Sequence, residues 1–211
     1  MKVSVFDGAR DNVPKVVECT WDSVKELLGP HRYNFTEKLG GPAFSPAEYP
    51  SGATRATKNV TQLSLFVADV DHVTRDVALD VLGKVHRSGL AALAYSTWSH
   101  AGDPWRFRVV NPLSRPVAPS EWPAFWATMN AAYGGVCDPK CVDPARLYFG
   151  PYAPAGTESQ NFWHVFEGDP IDVDAVLRVA VQGPGTLFAP QAPLVLGKLG
   201  AKANGVSADS A

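Results

Sequence analysis

A chain of 211 residues with 45% hydrophobic content can bury one sizeable core, so one compact domain is expected. Lys and Arg number 19 against 21 Asp and Glu, a formal net charge of -2, which argues against a protein that coats long polyanions. Apolar runs fall far short of the roughly 20 residues of a membrane span, the opening MKVSVFDGAR lacks a secretory apolar stretch, and three cysteines suggest no disulfide framework; the expected compartment is cytoplasmic.

KVSVF (2–6) and PKVVE (14–18) read as two short strands around the turn residues DGARDN, and Thr20 is placed to cap a helix from Trp21 to Leu28 that Gly29-Pro30 stops. GGPAFSPAEYPSG (40–52) is rich enough in Gly and Pro to predict a surface loop, one able to fold over a site. Val60 to Asp71 carries apolar residues on both alternating faces, the pattern of a central strand. Thr74 caps the next helix, with a stripe of Val77, Ala78, Val81, Leu82 and Val85 ended by Gly89.

LAALAYST (90–97) returns as a strand and, across the turn Gly102-Asp103-Pro104, pairs with WRFRVV (105–110) as a hairpin. A helix follows from Ser120 to Gly134-Gly135, then strands at ARLYFG (145–150) and FWHVFEG (162–168), and a last helix over Val173–Val181 capped by Asp172. Residues 182–211 lose periodicity and gain Gly, Pro and Ala, which predicts a flexible tail after a domain of residues 1–181. Strands interleaved with helices and joined by hairpins indicate an α+β fold around a mostly antiparallel sheet.

Side chains alternate along a strand, so Asp69 and Asp71 emerge on one face with Cβ atoms roughly 6 to 7 Å apart. Two carboxylates that close at the end of a buried strand repel each other. Protonation of one, or a cation between them, offsets this, and a hard divalent ion such as Mg²⁺ or Mn²⁺ takes such oxygen ligands; solvated acids at a strand mouth are the alternative.

YSTWSH (95–100) ends the following strand with Ser96, Thr97, Ser99 and His100, a histidine able to donate to phosphate or shuttle a proton. Arg106 and Arg108 share a face of RFRVVNPLSRPV, and guanidinium forks match phosphate. From Lys84 to Arg115 the only acid is Asp103, so a locally positive surface suits a compact anion such as a triphosphate or a short piece of strand. In CVDPARLYFGP, Asp143 precedes a strand carrying Arg146. Cys137 and Cys141 form a C-x3-C pair that a zinc ion could use, though two ordinary thiols explain it as well. Three carboxylates with a histidine and arginines are the equipment for in-line phosphoryl or nucleotidyl transfer.

The set VADVD, STWSH, RFRVVNPLSRPV and DPARLYFGP resembles the catalytic core of the archaeo-eukaryotic primase superfamily, in particular the primase or primase-polymerase domains of plasmid and phage replication proteins. The resemblance covers roughly residues 20 to 170. It rests on a D-x-D motif at Asp69 and Asp71, a small-x-His element at His100, and a hydrophobic residue followed by an acid at Val142 and Asp143; Trp98 departs from the small residue of the second motif.

The resemblance implies a catalytic sheet related to the RNA-recognition-motif (RRM-like) fold beside an N-terminal α/β lobe, with Asp69, Asp71 and Asp143 holding two Mg²⁺ or Mn²⁺ ions and His100 on the phosphates. Ser99, Arg106, Arg108, Arg115 and Arg146 complete the expected nucleotide contacts, and Arg55 and Lys58 the template or nucleotide groove. Tyr33, Trp98 and Trp105 are candidate stacking surfaces for single-stranded DNA. The implied activity is primer synthesis on single-stranded DNA from NTP or dNTP, with a separate helicase or replisome partner, because the chain has no phosphate-binding G-x-x-x-x-G-K-[ST] loop. The competing readings are a metal-dependent replication-initiator nuclease, for which the H-x-H pair is missing, and a non-catalytic single-strand-binding module.

Overall fold

The computed structural model describes residues 1–182. Gln182 closes the last helix, and the expected tail from 183 onward lies outside the described residues. Within the described residues the chain is α+β, with four α-helices and two antiparallel sheets.

The smaller sheet has the order β2-β1-β3-β8, from β1 (Lys2–Phe6), β2 (Lys15–Glu18), β3 (Ala43–Ser45) and β8 (Tyr148–Phe149). The larger has the order β4-β5-β7-β6-β9, from β4 (Ala47–Glu48), β5 (Gln62–Val73), β6 (Ala92–Ser96), β7 (Trp105–Val117) and β9 (Trp163–Phe166). The helices are α1 (Trp21–Leu27), α2 (Arg75–Ser88), α3 (Trp122–Ala132) and α4 (Val173–Gln182). Buried side chains from both sheets and all four helices form one hydrophobic cluster.

Most elements follow from local signals. The Thr20 and Thr74 hydroxyls accept from Ser23 N and Val77 N at the first turns of α1 and α2, and Gly89 ends α2 in the left-handed region at φ 67°. Asp172 Oδ1 accepts from Ala175 N at the start of α4. Glu121, not Ser120, precedes α3, and its carboxylate accepts from Ala118 N.

Three expectations change. Residues 40–52 are not simply a surface loop: Ala43, Phe44, Ser45 and Ala47 are buried, and the segment supplies β3 to one sheet and β4 to the other across Pro46. Gly and Pro there limit two very short strands rather than preventing them. β7 does not stop at residue 110 but runs on to Val117, and it lies between β5 and β6. Only Tyr148 and Phe149 of the segment 145–150 are strand.

Phe66 of β5 is fully buried against the rings of Trp122 and Phe125 on α3 and of Tyr133. Phe66→Ala is expected to cost about 3–5 kcal/mol by urea denaturation, whereas Val16→Ala on the exposed strand β2 changes stability by no more than about 0.5 kcal/mol.

Candidate active site

The site grows from one row across the large sheet. In register, Asp69 of β5 faces Arg108 of β7, and Arg108 faces Tyr95 of β6. Alternation sends these side chains to the face opposite Phe66, away from α3 and toward β8 of the smaller sheet. Arg108 Nη2 donates to Asp69 Oδ2 at 3.1 Å, while its Nε lies 3.1 Å from Oδ1 without hydrogen-bond geometry. Nη1 donates to Phe149 O at 3.1 Å, and the guanidinium stands 5.6 Å from the Tyr148 ring centroid. Only 12% of the Asp69 side chain and 10% of the Arg108 side chain remain exposed. Burial works against the Arg108 charge, but Asp69 beside it outweighs that and holds the guanidinium above its ordinary pKa.

One residue pair further along, β5 bulges: the register shifts between Val70 and Val73, and His72 takes φ 58°, unusual for a residue with a Cβ. The bulge leaves Asp71 half exposed, with Oδ1 3.4 Å from Arg106 Nε and Oδ2 3.3 Å from His72 Nδ1. Arg106 also meets His72 Nε2. The repulsion expected between Asp69 and Asp71 is thus met by two arginines of the neighbouring strand.

The free edge of β5 beside Val70 is taken by Cys137 in an isolated antiparallel bridge, with Asp138 N donating to Asp69 O at 2.8 Å. The short 3-10 helix Pro139–Val142 follows, started by Asp138 Oδ1 accepting from Lys140 N. This turn brings Asp138, Cys141 and Asp69 together so that their ligand atoms lie within 4.8 Å of one another. Arg146 Nη2 donates to Asp138 Oδ2 at 3.3 Å. Asp138 is the residue that sequence reading missed. Its signal is the repetition in VCDPKCVDP, where Cys-Asp-Pro precedes Val-Asp-Pro by five residues and offers the same hydrophobic-acid pattern.

Asp143 is outside that group. Its Oδ1 accepts from Thr57 Oγ1 at 2.8 Å and from Ala145 N at 3.0 Å, and Arg55 Nη1 donates to Ala145 O close by, so residues 55–57 and 143–145 form a separate patch, with Lys58 exposed at its edge. His100 is buried, its ring edge-on to Trp105 and Phe162; Nδ1 accepts from Arg106 N, and the ring also bonds the Gln160 backbone. Ser99 is exposed and Trp98 half-buried beside it.

Arg115 lies seven residues beyond Arg108, about 23 Å along β7 at about 3.3 Å per residue, where it bridges Glu121 and Asp174. Tyr33 is partly buried and stacks on His31, whose Nε2 lies 2.8 Å from Ser96 O. Cys137 and Cys141 are free thiols, and burial pushes them up to about 12 and about 11.

An α+β fold with carboxylates, a thiol and guanidiniums gathered where its two sheets meet defines a polar, charge-balanced centre. The VapE N-terminal domain family matches residues 43–183, more than half of the sequence, and the chain belongs to that family. Among solved structures, the chain is similar to the AEP domain of the primase-polymerase of cyanophage S-2L, at 13% identity and a TM-score of 0.48 over 85% of this chain and 88% of that one. No curated protein matches. No helix among the described residues is long and apolar enough to cross a membrane.

Burial holds His31 and His100 below the usual 6.5. A histidine lowered by folding favours the native state above its unfolded pKa, and that contribution is lost as pH falls through the folded value. The urea midpoint is therefore expected to fall as the pH is lowered below about 6.5, and to fall less in His31→Gln. The two buried thiols are expected to resist a disulfide reagent at neutral pH until the protein is unfolded, while half-buried Cys19 reacts first.

Proposed function

We propose that this VapE-family domain is a metal-dependent nucleotidyltransferase of the primase or primase-polymerase kind, acting on single-stranded DNA with NTP or dNTP. The observation that carries the reading is the convergence of Asp69 and Asp138 donors within 4.8 Å, beside Arg108 and Arg146, each of which has an Nε with no hydrogen-bond partner among the described residues.

Two carboxylates at that spacing are suitable oxygen ligands for Mg²⁺ or Mn²⁺, and Cys141, held as a neutral thiol by burial, adds little to a hard ion. Asp71 at the mouth is the third acid of the proposed set, with Asp138 taking the place that the sequence motif assigns to Asp143. When bound, the metal would neutralise the triphosphate and lower the pKa of the attacking 3′-hydroxyl. Arg106, Arg108 and Arg146 orient the phosphates by bidentate contacts. His100 braces the start of β7 through the Arg106 N–H rather than meeting phosphate itself. Ser99 and Trp98 stand at the open end of the hairpin, where a nucleotide or template base can reach them, and Arg55 and Lys58 flank the template. Arg115 contributes to stability, not to the site. The catalytic unit is residues 1–181, working with a separate helicase or replisome partner.

The pairing of Asp69 and Asp71 with arginines also favours a second reading, a binding module in which those acids are structural. One assay separates them: the protein, single-stranded DNA, Mn²⁺ and labelled nucleotides, with products sized on a gel. Extension is expected, and Asp69→Asn and Asp138→Asn each reduce it on the order of a hundredfold or more, while Asp143→Asn stays within a few-fold of the parent. No extension by the parent protein favours the module; cleavage of the strand would point to a nuclease. Loss in Asp143→Asn with retention in Asp138→Asn would return the third ligand to Asp143.

A further inference from the structure

We infer that the three acid–arginine pairs of the site make a divalent cation and a polyphosphate bind as a unit, each weakly alone and tightly together. This rests on the nucleotidyltransferase reading and adds a rule for the order in which the site fills.

The pairs are Asp69 with Arg108, Asp71 with Arg106, and Asp138 with Arg146. They are contiguous: Asp69 and Asp71 are two apart on β5, Arg106 and Arg108 are two apart on β7, and Asp138 is joined to Asp69 through backbone and side chain. Three carboxylates and three guanidiniums sum to zero. A cation entering alone has to displace a guanidinium from each carboxylate it takes, and leaves excess positive charge in a poorly hydrated place. A polyphosphate entering alone has the mirror problem. When both enter, the carboxylates turn to the cation, the guanidiniums turn to phosphate, and the local charge stays near balance.

Two details show which groups exchange. Arg108 is anchored independently of Asp69 by Phe149 O and the Tyr148 ring, so it keeps its place when Asp69 changes partner. Arg146 Nε is a buried donor with no hydrogen-bond partner among the described residues, and Arg108 Nε lies 3.1 Å from Asp69 Oδ1 without hydrogen-bond geometry, so both can take a further acceptor. A phosphate oxygen satisfies them in a way a metal cannot.

The test is calorimetric titration of the full-length protein with Mn²⁺, with inorganic tripolyphosphate, and with the preformed Mn²⁺–tripolyphosphate complex, referred to the Mn²⁺–tripolyphosphate affinity in solution. Each component is expected to raise the affinity for the other by about tenfold or more on the protein, equally in both directions. Arg106 is only 24% exposed in its side chain but lies at the mouth, so Arg106→Gln is the least disruptive probe. It should bind Mn²⁺ alone more tightly than the parent, bind tripolyphosphate more weakly, and show reduced coupling; Arg106→Lys should restore part of the coupling, and Arg146→Gln should repeat the pattern at Asp138.

Mn²⁺ that binds the parent tightly without tripolyphosphate, or Arg106→Gln and Arg146→Gln that leave Mn²⁺ affinity unchanged or lower, overturns the coupling and leaves the metal site standing. No Mn²⁺ binding under any condition overturns both.

Discussion

The rest of the structure is arranged around the ion pair of Asp69 and Arg108. A buried carboxylate or guanidinium alone would be strongly unfavourable, and removing one partner of such a pair typically costs about 3–5 kcal/mol. The pair is therefore tolerable only if β5 and β7 hold the register that sets Asp69 opposite Arg108. Arg108 in turn fixes β8 through the Phe149 carbonyl, which Tyr95 also reaches with its hydroxyl at 2.9 Å. Asp69 fixes the turn at Asp138 through its own carbonyl. The Asp69–Arg108 row thus ties the larger sheet to the edge of the smaller one through side chains, and to the 3-10 helix that carries Cys141 through the Asp69 backbone.

The two acids of the D-x-D motif have different surroundings because of a single backbone irregularity. Regular alternation would have given Asp71 the same burial as Asp69. The bulge at Asp71 and His72 interrupts the ladder, which resumes at Val73 opposite Trp105, and it leaves Asp69 buried and Asp71 half exposed. Charge balance follows the same division: Arg108 is buried with Asp69, and Arg106 is partly exposed with Asp71.

Much of this was legible in the sequence wherever the signal was local. The caps at Thr20, Thr74 and Asp172, the Gly89 stop, the doubly apolar β5 and the β6–β7 hairpin all rest on adjacent residues, and they form as read. The Arg106/Arg108 row was visible as well, as two arginines on one face of a strand; that its carboxylate partners lie on β5 required the pairing of β5 with β7, which no local pattern states. β3 and β4 were missed because each has only two or three residues and their burial comes from strands distant in sequence. Asp138 was passed over because two Asp-Pro steps compete in one stretch, and only the bridge from Cys137 to Val70 distinguishes them. His100 was legible as a residue of the hairpin end, but its enclosure by Trp105 and Phe162 depends on β9 lying beside β6.

The segment Ala43–Glu48 has a mechanical meaning. It leaves one sheet and joins the next within a single residue, Pro46, whose carbonyl accepts from Ser64 N at 2.9 Å while Ser4 Oγ reaches Ala47 O at 2.7 Å. The two sheets are geared together by that short stitch, so neither slides past the other without tearing it. Side chains of the charged centre accordingly rotate inside a stiff frame, and the relative placement of the two sheets does not depend on how Asp69 and Arg108 are paired at any moment.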